Sequence, residues 1–470
     1  MRTLLRIAFA MVLFSYGFNS VTISSAAAAD KPQKNVVLIV ADDMGLNLGC
    51  YGDPQSVTPN LDRLAKNGTR FTHAFCTTSS CSPSRSVILT GLYNHANGQY
   101  GLQHDTHHQQ THAWVKSLPM LLSAAGYRTC SIGKFHVGPA EVYPFDKFAN
   151  DGIQGARNEV RMADNAKAWI AEKDERPFFL YFCSSDPHRA AKGFANDVKH
   201  PGMTPVKFDP AKIKVPGFLP NSTEAREEWA EFLEASNRVD QGVGRLVEVL
   251  HETGHDNDTL VLFISDNGPP FPGSKTGLYE PGANLPLIVK MPGQKKTEVV
   301  TNAMVTWADL TPTILDYTGV KGPTGYALQG KSFLTTLEDP TPKGFDEIYM
   351  SHQFHEITMY YPMRSIRTRK YKYVLNLASE LSYPFASDLW ESTTWQGVLK
   401  RNDSQYGFRT VDALLHRSRH ELYDLEADPN EINNLAAKPE HGELLLELQT
   451  KLRKWQEQTK DPWVIKYKHE

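Results

Sequence analysis

Cys81-Ser82-Pro83-Ser84-Arg85, followed by Leu89-Thr90-Gly91, is the stretch best equipped for chemistry. Pro83 fixes its own φ and carries no N–H, and Ser86-Val87-Ile88-Leu89 starts an apolar run, so the cysteine is expected where a loop enters a helix. A helix start presents unpaired N–H groups and the positive end of a dipole, which suits an anion. Arg85 adds a guanidinium beside the sulfur. Taken alone, such a cysteine reads first as a buried structural thiol. A second set of residues is Asp42, Asp43, Asp266 and Asn267, which offer only oxygen ligands and so select a hard cation, Ca2+ or Mg2+. Three carboxylates brought together without a cation would repel one another, and a metal holding both a substrate oxygen and the nucleophile would relieve this as a Lewis acid.

The elements that must position these residues alternate in type. Asn35 to Ala41 is a short, β-branched apolar run that fits a strand buried on both faces, and it delivers Asp42-Asp43. Thr58-Pro59 opens a helix through Lys66, with Asn67-Gly68 as its stop. Tyr127 to Ile132 reads as a strand leading to Gly133-Lys134-Phe135-His136, and Phe178 to Phe182 as another leading to Asp186-Pro187-His188-Arg189. Asn221, with Glu224 three residues on, is expected to open a helix that keeps apolar spacing to about Gly254. Leu260 to Ile264 delivers Ser265-Asp266-Asn267-Gly268, and Leu285 to Val289 is one more strand. This alternation predicts an α/β fold with a large parallel or mixed sheet flanked by helices. Ligand sites in such folds gather at the carboxyl ends of strands, where every polar cluster named here falls. Between Lys192 and Leu219 a polar, Pro-rich stretch reads as a long excursion that walls the pocket.

Beyond about Pro340 the composition shifts. Ile348-Tyr349-Met350 and Tyr371 to Leu375 read as strands of an antiparallel sheet, joined by the Tyr/Arg-rich segment from Met359 to Arg369. The expected organisation is a leader at residues 1–29, a catalytic domain at 30–340 and a smaller α/β subdomain at 341–470. The leader reads as a secretory signal: Arg2 and Arg6 precede the apolar run Ile7 to Phe14, and small residues follow through Ala29. That run is short for a membrane span of about 20 residues, so an exported protein without a membrane span is expected. A formal net charge of −3 argues against nucleic acid as a partner. Five cysteines are too few for a disulfide scaffold. The tract His104, His107, His108 and His112 invites a zinc reading, but it is polar and has no cysteine nearby.

The pattern Cys-x-Pro-Ser-Arg-x-x-x-Leu-Thr-Gly resembles the signature of the type I, formylglycine-dependent sulfatases. The resemblance narrows at Asp186-Pro187-His188-Arg189, His355-Glu356, Thr358-Met359-Tyr360-Tyr361-Pro362-Met363-Arg364 and Asp461-Pro462-Trp463, which are similar to the N-sulfoglucosamine sulfohydrolase (heparan N-sulfatase) branch. The resemblance implies an alkaline-phosphatase-like fold, with Cys81 oxidised to formylglycine by a formylglycine-generating enzyme. It implies one Ca2+ held by Asp42, Asp43, Asp266, Asn267 and the residue at 81, and catalytic roles for Arg85, Lys134, His136, His188 and Lys275. Lys275 departs from the branch, which has arginine there, and agrees with sulfatases at large. Asp186, His355, Glu356 and Arg364 are expected to bind substrate, although Glu356 would equally suit an ion pair with Arg364 or Arg367. The implied activity is removal of the N-sulfate of terminal N-sulfoglucosamine from heparin- or heparan-type saccharides. Alternatives are an O-sulfatase on another sulfated glycan or aryl sulfate, or a non-catalytic glycosaminoglycan-binding protein if Cys81 stays a thiol. A homodimer is implied too. So is a location that depends on the host: periplasmic or secreted in a bacterium, lysosomal in a eukaryote.

Overall fold

Eight strands form the sheet on which the site is built: β1 (Asn35–Ala41), β2 (Thr69–Phe75), β3 (Arg128–Gly133), β4 (Lys147–Phe148), β5 (Phe178–Cys183), β6 (Thr259–Ser265), β7 (Leu287–Lys290) and β8 (Val299–Thr306). The computed structural model describes residues 34–469, so the leader expected at residues 1–29 lies outside the described residues. The strand order is β4-β3-β5-β1-β6-β7-β2-β8. β3, β5, β1 and β6 run parallel, and β7 alone is reversed, pairing antiparallel with both β6 and β2. The sheet is therefore mixed, and the carboxyl ends of β1, β2, β3, β5 and β6 share one edge.

Alternation along β1 sorts its side chains onto two cores. Val36, Leu38 and Val40 pack with Val87, Ile88 and Leu89 of helix α2 (Cys81–Thr90). Val37, Ile39 and Ala41 face Leu61 and Leu64 of α1 (Pro59–Lys66), Met162 and Trp169 of α3 (Glu159–Ile170), and Val239 and Val243 of α4 (Thr223–Glu252). Each such fully buried aliphatic side chain contributes about 1.5–3 kcal/mol, and together they fix the strand ends rigidly. α4 starts one residue later than expected: Ser222 is the N-cap, accepting from the Ala225 N–H at 3.2 Å, while Glu224 turns outward to Arg401. Among the described residues no helix is long and apolar enough to cross a membrane.

The second sheet is antiparallel, with order His420–Asp424, β11 (Tyr371–Asn376), β10 (Met363–Thr368), β9 (Glu347–His352). β10 was not legible as a strand because Arg364 and Arg367 interrupt its apolar pattern; both are buried by ion pairing, Arg364 with Asp461 and Arg367 with Glu280. This sheet shares a continuous core with the first, in which Ile366, Tyr373 and Leu422 join Trp455 of the helix Gly442–Gln458. All five cysteines are free thiols.

Candidate active site

The shared strand edge gathers the polar clusters. After β1 the chain turns sharply: Asp42 N–H donates to the Asp186 carbonyl at 3.0 Å, and Asp43 adopts a left-handed φ of 66°, a conformation that aspartate tolerates better than most residues. The Asp43 N–H donates to Asp266 Oδ1 at 3.1 Å, and the Asn267 N–H donates to the same oxygen at 2.8 Å. Asn267 Nδ2 donates to Asp43 Oδ1 at 2.5 Å. β2 leads into Thr77-Thr78-Ser79-Ser80, which sets Cys81 at the first turn of α2, its Sγ 3.8 Å from Asp43 Oδ1. α2 ends at Gly91, whose φ of 65° closes the helix. Arg85, one turn along, is entirely buried. Its Nε donates to Asp266 Oδ2 at 2.8 Å, its Nη1 to the Lys134 carbonyl at 2.9 Å and its Nη2 to Asp42 Oδ1 at 3.4 Å.

This acidic cluster is built for a cation. Burial, with the neighbouring Asp42 charge second, pushes the Asp266 carboxyl up to about 8. Burial would raise Asp42 too, but Lys134, His188 and Arg85 hold it well below the ordinary carboxylate range. Asn267 Oδ1 is buried without a hydrogen-bond partner, an expense that a metal ligand explains. Asp42, Asp43 and Cys81 place ligand atoms within 4.8 Å of one another. Oxygen donors on a rigid strand edge with one orphaned carbonyl fit a hard divalent ion such as Ca2+. The thiol of Cys81 is pushed well above its usual range, chiefly by burial, so unmodified Cys81 is a poor nucleophile here.

Cationic groups close around the same point. Lys134 Nζ lies 2.5 Å from Asp42 Oδ2, and Lys275 Nζ lies 2.9 Å from Asp43 Oδ2. Burial disfavours both ammonium ions, yet the facing carboxylates keep both charged. His188 Nδ1 lies 2.6 Å from the Arg189 carbonyl; a carbonyl only accepts, so the ring donates there and Nε2 is left facing Asp43 Oδ2 at 3.8 Å. His136 stands at a φ of 57°, stacked on His104 with ring centroids 4.7 Å apart, and neither of its ring nitrogens has a protein partner. Burial, then Lys134 and His104, hold it well below the usual histidine range. His355 enters from the second sheet's side, bound to Ser80 Oγ through Nδ1 at 2.8 Å, beside Cys81. The whole is a pocket with a helix-start nucleophile position, a cation cradle and five positive or proton-bearing side chains, able to bind a tetrahedral oxyanion and transfer it.

Residues 34–320 match the family model described as Sulfatase. The chain belongs to the sulfatase family. This sulfatase also matches, over residues 274–390, a model described as N-sulphoglucosamine sulphohydrolase, C-terminal. It is 41% identical over 463 residues to human N-sulphoglucosamine sulphohydrolase, covering 92% of this chain and 91% of the human protein. It is 28% identical to an ulvan-active sulfatase of Formosa agariphila, over 92% of this chain and 81% of that protein. A solved structure holding its substrate D-glucosamine-2-N,6-O-disulfate superposes with a TM-score of 0.68 at 22% identity, covering 91% of this chain and 98% of that one. A 2-O glycosaminoglycan sulfatase gives 0.67 at 20% identity, over 92% and 93%. Both share its fold. Sulfatases generally depend on formylglycine and Ca2+, and the acidic cluster described above is where such an ion would sit.

In this sulfatase several residues lie elsewhere than the sequence led us to expect. Asp186 does not face the pocket: its side chain is fully buried between Arg157 and Arg238, and it supports the Asp42 turn through its carbonyl. Arg364 is turned inward as well, forked onto Asp461 at 2.6 and 2.8 Å with Nη1 on the His352 carbonyl. Glu356 pairs with neither Arg364 nor Arg367. It lies half-buried, its Oε1 accepting from the Ser387 N–H at 2.8 Å and Oγ at 2.6 Å. That contact anchors α5 (Ser387–Trp390), which carries a residue sequence reasoning missed. Asp388 reaches Lys275 Nζ at 2.8 Å across 113 residues of sequence. A lone aspartate in a loop-rich stretch gave no local signal of this. Only two groups of metal-competent side chains occur among the described residues, neither of them in the histidine tract.

Proposed function

We propose that this sulfatase hydrolyses the N–S bond of terminal N-sulfoglucosamine in heparin- or heparan-type saccharides. The observation that carries the reading is the match of residues 274–390 to the N-sulphoglucosamine sulphohydrolase C-terminal model, because that segment supplies Lys275, His355 and Asp388 to the pocket. Lys134, Lys275 and His136 lie about the place where the sulfate oxygens would sit, with Arg85 bracing the acidic cluster behind position 81, and fixed cations there stabilise charge that grows in the transition state. Formylglycine at position 81, in its hydrated form, supplies geminal hydroxyls: one attacks sulfur, and the other allows sulfate to be released afterwards. Asp42, Asp43, Asp266 and Asn267 would hold a Ca2+ ion, which would supply Lewis acidity to the substrate anion. His188, with its Nδ1–H committed to the Arg189 carbonyl, turns Nε2 toward the pocket, and when the ring is doubly protonated that nitrogen delivers a proton to the departing amine. His136, whose ring nitrogens are both buried without partners, takes a proton from the residue at 81 during sulfate release.

The reading carries with it maturation by a formylglycine-generating enzyme, export under a leader peptide, and a homodimer. Release of sulfate from N-sulfoglucosamine and from 6-O-sulfoglucosamine, compared by product analysis, tests the specificity; turnover of the O-sulfate alone would replace the reading with an O-sulfatase. Intact-mass analysis of the peptide containing Cys81 tests the nucleophile, since conversion exchanges sulfur for oxygen and removes two hydrogens. Cys81→Ala and Cys81→Ser should both lose turnover, and normal activity of Cys81→Ala would end the mechanism.

A further inference from the structure

We propose that Asp388 is the specificity-determining residue for a sulfated nitrogen over a sulfated oxygen, its carboxylate accepting the N–H of the scissile sulfamate and then holding the amine that leaves. This rests on the N-sulfoglucosamine reading above. Asp388 Oδ2 lies 2.8 Å from Lys275 Nζ and 3.9 Å from His188 Nε2. Lys275 marks the sulfate side and His188 the side where the leaving atom receives its proton, so the carboxylate stands beside the bridging atom. Lys275 and His188 approach Oδ2, and among the described residues Oδ1 has no hydrogen-bond partner. The side chain is 19% exposed and lines a cleft of about 600 Å³ in which acidic residues outnumber basic ones, with Glu227, Glu231 and Glu391 nearby. Such a cleft is a poor seat for a sulfate-rich chain and a good one for an ammonium. Glu356 holds the supporting helix in place through Ser387.

The chemistry follows from what the bridging atom carries. A sulfamate nitrogen bears a hydrogen that a carboxylate can accept, whereas an ester oxygen presents only lone pairs and would be repelled by it. When the S–N bond breaks, its electron pair passes to nitrogen, which takes the Nε2 proton of the doubly protonated His188 ring, while the hydroxyl at position 81 forms the new S–O bond and gives up its own proton to the Asp43 carboxylate beside it. The amine, still part of the sugar, then gains a further proton from water and pairs with Asp388 until the saccharide dissociates.

The test compares Asp388→Asn and Asp388→Ala with the wild type, as full-length formylglycine-bearing enzyme, on N-sulfoglucosamine and on an aryl sulfate. The ratio of the two kcat/KM values should fall by about 10- to 150-fold, the range expected for one charge-assisted hydrogen bond. Equal losses on both substrates would mean that Asp388 only braces Lys275, and would overturn the proposal. A second arm measures inhibition of aryl sulfate hydrolysis by glucosamine and by N-acetylglucosamine. Glucosamine should bind more tightly to the wild type and lose that advantage in both variants; equal inhibition by the two sugars in the wild type also overturns it. A wild type that leaves N-sulfoglucosamine intact would refute the functional reading, while the inhibition arm would still decide the role of Asp388.

Discussion

Asn267 Oδ1, buried without a partner beside three carboxylates, is the most telling single atom in the molecule. Its environment predicts that protein stripped with a chelator melts at a lower temperature, and that Ca2+ restores the Tm by mass action, by about 2.7 kcal/mol at a hundredfold excess over Kd. Asn267→Ala should weaken that response, and a Tm indifferent to Ca2+ would show that the cluster holds no such ion. Glu356 makes a different prediction. Because its Oε1 takes two hydrogen bonds from Ser387, Glu356→Ala should cost about 0.5–2 kcal/mol, as for a lost helix cap, and raise KM. Glu356→Gln keeps an acceptor oxygen and should do much less. Equal damage by both substitutions, with an unchanged Tm, would mean that the charge itself is used on the sugar.

At the scale of elements, the strand ends depend on close backbone contact. Gly133 ends β3 at a φ of 92°, and a Cβ there would lie 1.9 Å from the Cys183 carbonyl oxygen on β5. Lys134 and His136 follow at once, so the same residue that permits the strand pairing aims the cation cradle. Gly133→Ala is expected to cost about 1–3 kcal/mol from backbone strain alone, with a further penalty from the clash. Urea denaturation would report a lower midpoint, and activity should fall with it. A variant of wild-type stability would mean that the turn relaxes freely. The neighbouring strand β5 makes a comparable contribution: the loop after it holds Asp186, whose ion pairs with Arg157 and Arg238 brace the segment that carries His188.

At the scale of the whole molecule, the two sheets are locked by buried polar links as well as by their shared core. His95 joins Ser351 of β9 to Thr459 near the C-terminus through its two ring nitrogens, each at 2.9 Å. Burial depresses this imidazole to about 3, with Arg364 adding to the shift and Asp461 opposing it. A histidine whose folded pKa lies below its unfolded value of about 6.5 contributes its stability fully above that pH and loses it as pH falls toward the folded value. Between pH 7 and 5 the loss should be about 2 kcal/mol, visible as a falling urea midpoint. His95→Gln should flatten that slope, and an unchanged slope would place the sensitivity elsewhere. The Arg364–Asp461 pair, buried on both sides, should cost about 3–5 kcal/mol when Asp461→Ala leaves the guanidinium alone.

The sequence by itself determined the strands that carry the site and the chemistry at their ends. β-branched runs such as Val36–Val40 and Leu260–Ile264 admit little but buried strands, and the Cys81–Gly91 signature and the candidate oxygen ligands Asp42, Asp43, Asp266 and Asn267 are read from short-range pattern. What only the tertiary structure decided is which charges meet. Asp186, Arg364 and Glu356 look alike in sequence as polar residues near functional motifs, yet two are spent on buried partners and one braces a helix. Asp388 carries no motif and reaches the pocket because α5 folds over Lys275. Strand and helix preferences arise from local sterics and periodicity, whereas ion pairs are settled by loops from two sheets packed on a common core, which no window of sequence contains.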